Sequence, residues 1–156
     1  MLRLAQYVYS LTLALWVGGI AIFTFVVAPA IFRSFDRDMA AVVIGKLFDG
    51  YFIYNLALSV FALIFALAAL PGRYVYKKIS LLLIAAAIVI NAYVAFSLHP
   101  QVREVKRQVA SFETMPKDSP ARKEFSRLHA VSAVLNILLL ADGAALIYLS
   151  YSGLKK

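Results

Sequence analysis

Four long stretches of the chain carry almost no charge. There are 29 uncharged residues between Arg3 and Arg33, 23 between Asp49 and Arg73, and 24 between Lys78 and Arg103. A fourth run, Leu128 to Leu154, holds 27 residues interrupted only by Asp142. About 20 mostly apolar residues cross a bilayer as a helix. The pattern therefore predicts an all-α, four-transmembrane-helix antiparallel bundle forming a single integral-membrane domain over 1–156, with spans near 6–32, 51–71, 78–98 and 124–151. The first run exceeds one span, which predicts tilt or protrusion, with Pro29 as its kink or exit.

The connections differ in length. Between the second and third spans a tight turn is expected, in which Pro71 and Gly72 stop one helix. The other two connections are longer and fall together on the opposite side, so the N- and C-termini are expected to share a side. In the first connection, Ala40, Val43, Ile44, Leu47 and Phe48 recur at helical spacing with Asp36 or Asp38 as N-cap, predicting a short amphipathic helix in the interface. In the third, Val102, Val105, Val109 and Phe112 repeat at i, i+3, i+7 and i+10, with Arg103, Lys106 and Arg107 on other faces, predicting a second such helix. His99 precedes Pro100, a position biased away from helical backbone, and is expected at or beyond the helix edge. Residues 114–120 then break the helix, and Ser119 with Pro120 reads as N-cap and N1 of the last one.

Composition sharpens this picture. The chain is 63% hydrophobic and 15% charged, against about a quarter charged in soluble domains. With no cysteine, disulfides and thiolate metal sites are excluded. The net charge of +8 lies outside the spans apart from Asp142, and in so apolar a chain it points to the lipid bilayer and anionic lipid headgroups rather than to nucleic acid. Counting Lys and Arg alone, the side with the longer connections holds ten of the 16 and is expected in the cytoplasm, although all seven acids outside the spans share it.

Polar groups inside a span are costly unless paired, so the candidate chemistry is sought there. In the fourth span His129, Ser132, Asn136 and Gly143 share one stripe within about 60°, the kind of face that meets other helices. Asn91 lies about 12 Å below His99, and Asn136 about 10.5 Å below His129. A His/His layer above an Asn/Asn layer is thus geometrically available, with Asn55 and Ser59 near the same side. Trp16, Gly18 and Gly19 read as helix packing, the glycines marking a crossing point. Asp142 falls about 140° around the helix from His129, and protonation or pairing with Lys77 or Lys78 would relieve its cost. Tyr7, Tyr9, Tyr51, Tyr54, Tyr74, Tyr76, Tyr148 and Tyr151 read as belts at the span ends. His99 and His129 could bind a metal ion or ligate haem iron, or could simply mark the interface. No nucleophile–base pair, phosphate-cradling glycine loop or paired catalytic carboxylates appear.

Four stretches taken in order carry a resemblance: "LWVGGIAIFTFVVAPAIF" in the first span, "GKLFDGYF" entering the second, "LHPQVRE" leaving the third and "FSRLHAVSAVLN" opening the fourth. Over nearly the whole chain they resemble a small integral-membrane family of unknown function that includes eukaryotic transmembrane protein 205 and bacterial homologues. The resemblance implies a four-helix membrane protein and brings no reaction or functional residues with it. "WVGG" by itself is also similar to copper-resistance membrane subunits and membrane haem-biosynthesis proteins, a likeness resting on one short motif. The expectation is a non-enzymatic multi-pass membrane protein, accessory or scaffold-like, working as a homo-oligomer or beside a membrane-protein partner. Two alternatives stay open. One is a haem- or metal-binding protein using His99 and His129 in electron transfer; the other is a small transporter or channel subunit with Asp142, Asn91 and Asn136 along its path.

Overall fold

The structure is a computed structural model that describes residues 2–70 and 76–153. Four helices long and apolar enough to cross a membrane account for it: α1 (Leu2–Ser34), α2 (Arg37–Ala69), α3 (Lys77–Arg107) and α4 (Pro120–Gly153). No strand occurs among the described residues. The expected turn around Pro71 and Gly72, with Tyr74, lies outside the described residues.

The core follows from helical spacing. Tyr9, Leu13, Trp16 and Ile20 form one buried stripe of α1, and they meet Ala62, Ala66 and Ala69 of α2, Ile84 and Ala87 of α3, and Leu139 and Leu146 of α4. The alanines matter because small side chains let helix backbones approach where no hydrophobic drive separates lipid from protein. The outward faces are also apolar: Leu82, Val89, Phe96 and Tyr148 are each about two-thirds exposed. Such an outer surface suits a hydrocarbon solvent.

Neither connection contains a separate interfacial helix. Residues 37–48 are the first turns of α2, which begins at Arg37 rather than near residue 51. Glycine ends a helix chiefly by adopting a left-handed backbone, and none of the described glycines has positive φ. Gly45 and Gly50 are therefore carried inside the helix. Asp36 supplies the N-cap, its Oδ1 accepting from Met39 N at 2.7 Å, while Ala40 and Ile44 are buried against the protein. Likewise 99–107 continues α3, and Val102 and Val105 pack on a cluster built from Phe52, Val94, Leu98 and Leu128. Most of the apolar stripe residues seen in the sequence face protein, Leu47 being the exposed exception.

The two helix prolines explain the remaining departures. A proline in a helix lacks the N–H for the carbonyl four residues back and collides with it. Here each follows a wide turn, Phe23–Val27 before Pro29 and Val94–Leu98 before Pro100, in which Ala28 N–H reaches Phe23 O and His99 N–H reaches Val94 O. These five-residue bonds displace the carbonyls the ring would strike. Pro29 consequently does not end α1, and His99 is helical, with φ −62° and ψ −43°. Pro100→Ala should accordingly raise stability by well under the ~3 kcal/mol of an unrelieved helix proline; a gain of that full size in detergent unfolding would mean that the wide turn relieves nothing.

At the last connection, Pro120 opens α4 as expected, and Ser119 stands at the N-cap position, but its side chain makes no capping bond. Its Oγ is buried with no hydrogen-bond partner, while its carbonyl accepts the first intrahelical bond, from Lys123 N. The connection is fastened elsewhere. Asp38 accepts from Ser111 Oγ at 2.6 Å and from Phe112 N, and Arg37 N donates to Glu113 Oε1 at 3.0 Å.

Candidate functional site

One end of the bundle carries a half-open cavity of about 410 Å³. It forms where α2 and α3 run past the length a span requires and the 108–119 connection closes over them. Apolar walls come from Phe32, Val42, Phe48, Val102, Phe112 and Phe125, and the polar lining from Arg37, Lys46, Asp49, His99, Arg103, Lys106 and His129. On α3, His99, Val102, Arg103 and Lys106 recur at i, i+3, i+4 and i+7, so one helix face supplies them all.

Both sequence-predicted histidines line this cavity. His99 is held firmly: its Nε2 donates to Asp49 Oδ1 at 2.9 Å, and its ring lies edge-on to Phe52 at 4.9 Å and Phe48 at 6.0 Å. Arg103 also reaches Asp49 Oδ1, at 3.4 Å. His129 stacks on Phe125, one turn earlier in α4, with ring centroids 5.9 Å apart and planes 4° from parallel. Asp49 is not among the candidates that polar groups within the spans single out. Its signal was available: it bounds the second uncharged run, at the depth where His99 ends the third.

Beneath lies a polar layer. Tyr51, Asn55, Asn91, Ser132 and Asn136 line a second void of about 10 Å³, roughly the room one water needs. Asn136 bridges two helices, accepting from Tyr51 Oη and donating from Nδ2 to Thr24 Oγ1 at 2.8 Å. Asn55 Nδ2 donates to Tyr51 O at 2.9 Å, while Asn55 Oδ1 and Asn91 Nδ2, an acceptor and a donor, are buried without partners. Ser59 turns back on its own helix, Oγ donating to Leu56 O. Tyr51, assigned from sequence to an interface belt, is instead part of this layer, stacked on Phe23 at 4.2 Å. Tyr9 is buried in the core, and Tyr54 donates from Oη to Leu15 O at 3.0 Å.

The packing residues divide. Gly19 is a true crossing point, since a Cβ there would lie 2.7 Å from Tyr54 Cε1. Gly18 is not, because nothing lies within 4 Å of where its Cβ would be. Gly143 meets α1, a Cβ there falling 2.6 Å from Val17 Cγ2, and Trp16 is fully buried in the core. Asp142 is half-buried with Oδ2 unpartnered. Lys77 does not serve it, its Nζ donating to Leu70 O at 2.8 Å, and no ion pair joins Asp142 to Lys78 among the described residues.

Among the described residues no three His, Asp or Glu side chains gather closely enough to hold a metal ion. Ligating haem iron through two imidazoles needs a ring nitrogen of each facing the metal; with Nε2 of His99 directed at Asp49, only its Nδ1 could do so. Residues 11–111 match a family described as a domain of unknown function, DUF4149. The chain belongs to the DUF4149 family. The DUF4149 match takes in all of α2 and α3 and ends at Ser111, whose hydroxyl holds Asp38; His129 and Asn136 of α4 lie beyond it. No curated protein and no solved structure matches the chain.

Proposed function

We propose that this DUF4149 protein is a non-enzymatic, multi-pass membrane protein that works by holding a small molecule in the cavity at the connection end. One observation carries the reading: a 410 Å³ space with aromatic and aliphatic walls, within the size range of ligand sites, is set beside charged groups with no nucleophile–base pair among them. Its membrane position is part of the proposal. Counting about 20 residues back from Ala69 and forward from Lys77 ends close to Asp49 and His99, and the same count back from Gly153 ends about one turn short of His129, so the polar lining would sit where hydrocarbon gives way to headgroups. Both termini then share the far side, and the excess of Lys and Arg puts the cavity in the cytoplasm. The order of the four sequence motifs further supports kinship with transmembrane protein 205 and its bacterial homologues. Accessory work beside a membrane-protein partner fits a protein of this kind.

The test is co-purification. Protein extracted gently from membranes should release a small molecule on denaturation, at about one per chain. Val42→Trp fills the cavity from a position that is already 46% exposed, so it should fold normally and lose that molecule. Equal release from both proteins, or none from either, would sink the reading.

A further inference from the structure

Cations dominate the cavity rim: Arg37, Lys46, Arg103 and Lys106 against the single carboxylate of Asp49. That carboxylate is already engaged by His99 and Arg103, and Arg37 is engaged by Glu113. Lys46 and Lys106 are left with no ion pair among the described residues. Lys106 is half-buried and crosses to α2, where its ammonium donates to Ala41 O. An ammonium has three N–H donors, and the carbonyl uses one.

The sequence makes room for this ammonium. A Cβ on Gly45 would lie 3.1 Å from Lys106 Nζ, so a bare backbone at this turn of α2 lets the charged head settle against the helix. One end of the cavity is therefore cationic with donors to spare. Its apolar wall includes Phe32, Val42, Phe112 and Phe125, of which Phe32 and Val42 are about half exposed.

We infer that the cavity binds an acidic phospholipid drawn from the surrounding bilayer, its phosphodiester held by Lys106 and Arg103 with Lys46 nearby, and its glycerol and upper acyl carbons against the aromatic wall. Charge complementarity selects the head, because an anionic oxygen accepting from a cationic donor makes the stronger class of hydrogen bond. Position selects the source, since the rim falls at headgroup depth and two of the wall residues open outward. This assignment rests on the cavity-binding reading and names its ligand.

The purified full-length protein, titrated with phosphatidylglycerol or phosphatidylcholine in mixed micelles and read by native mass spectrometry, tests it. Wild-type protein should retain one phosphatidylglycerol per chain and prefer it about tenfold, the worth of one good charged contact. Lys106→Gln should abolish most of that preference. Gly45→Val should do the same at unchanged net charge, by displacing the ammonium. Lys117→Gln removes an equal charge from the connection outside the cavity and should leave the preference intact. If Lys106→Gln and Lys117→Gln weaken binding equally, the attraction is general surface charge and the inference fails. Glycerol 3-phosphate competing as well as the lipid would overturn the bilayer as the source. Phosphatidylcholine bound equally well, and displaced by Val42→Trp, would overturn the anionic head while leaving a cavity that binds; no retained molecule at all would remove both.

Discussion

Gly19→Leu should sharply lower the unfolding midpoint of the purified protein. Even the first added carbon would sit 2.7 Å from Tyr54 Cε1 and 3.2 Å from its hydroxyl oxygen. The ring cannot swing away freely, because Oη is tied to the Leu15 carbonyl on the same face of α1. Relief requires either breaking that bond or separating α1 from α2, the pair that packs most extensively. Overpacking of this kind costs about 1–3 kcal/mol, and the lost bond adds roughly 0.6 kcal/mol in a membrane setting. Tyr54→Phe combined with Gly19→Ala should recover part of the loss, since the ring is then free to shift. Gly18→Leu supplies the contrast: with open space at its Cβ, it should change the midpoint little. Unfolding in dodecylmaltoside followed by circular dichroism would check all three, and equal losses at Gly18 and Gly19 would contradict the crossing geometry.

Asn136→Leu is expected to be nearly as damaging. The side chain accepts from Tyr51 Oη and donates to Thr24 Oγ1, so it joins α4 to α2 and to α1 at one depth. Leucine matches its bulk but leaves the Tyr51 hydroxyl without its acceptor. Interhelical hydrogen bonds in membranes contribute on average about 0.6 kcal/mol, with the strongest near 1.7, and two are removed. A loss of about 1–3 kcal/mol follows. Tyr51→Phe in the same background should add little further cost, because the stranded hydroxyl disappears. Strict additivity of the two changes in a double-mutant cycle would show that the bond contributes nothing.

Much of the architecture was legible in charge-free runs, because a hydrocarbon solvent forces long apolar helices and leaves few other choices. The four long helices were readable that way; of the two N-cap candidates Asp36 and Asp38 it is Asp36 that caps, and of the stripe His129, Ser132, Asn136 and Gly143 the last three turn inward while His129 is exposed. What escaped was the fate of the connections. An amphipathic stripe such as Ala40, Ile44 and Phe48 says that one face must be covered, but periodicity cannot say whether lipid or protein does the covering. Here it is mostly protein, and Ala40 to Phe48 became the first turns of α2, while Val102 and Val105 became the last turns of α3 with Val109 and Phe112 beyond its end. Tyr51 was misplaced for a related reason: tyrosine suits the membrane interface and a buried hydrogen-bonded layer equally well. Asp49 was legible only as a boundary marker, since its pairing with His99 depends on two helices crossing at that level.

The wide turn at Val94–Leu98 fits one residue more into α3 than an ordinary helix would use. One residue corresponds to about 100° of rotation. Everything after it is rephased by that amount, including His99, Arg103 and Lys106. The turn therefore acts as a phase shifter: upstream, α3 presents Ile84, Ala87 and Asn91 to the core, and downstream it aims a charged face at α2. Without that shift the same cations would point a quarter-turn away, and the cavity would lose its positive rim without a single residue changing identity.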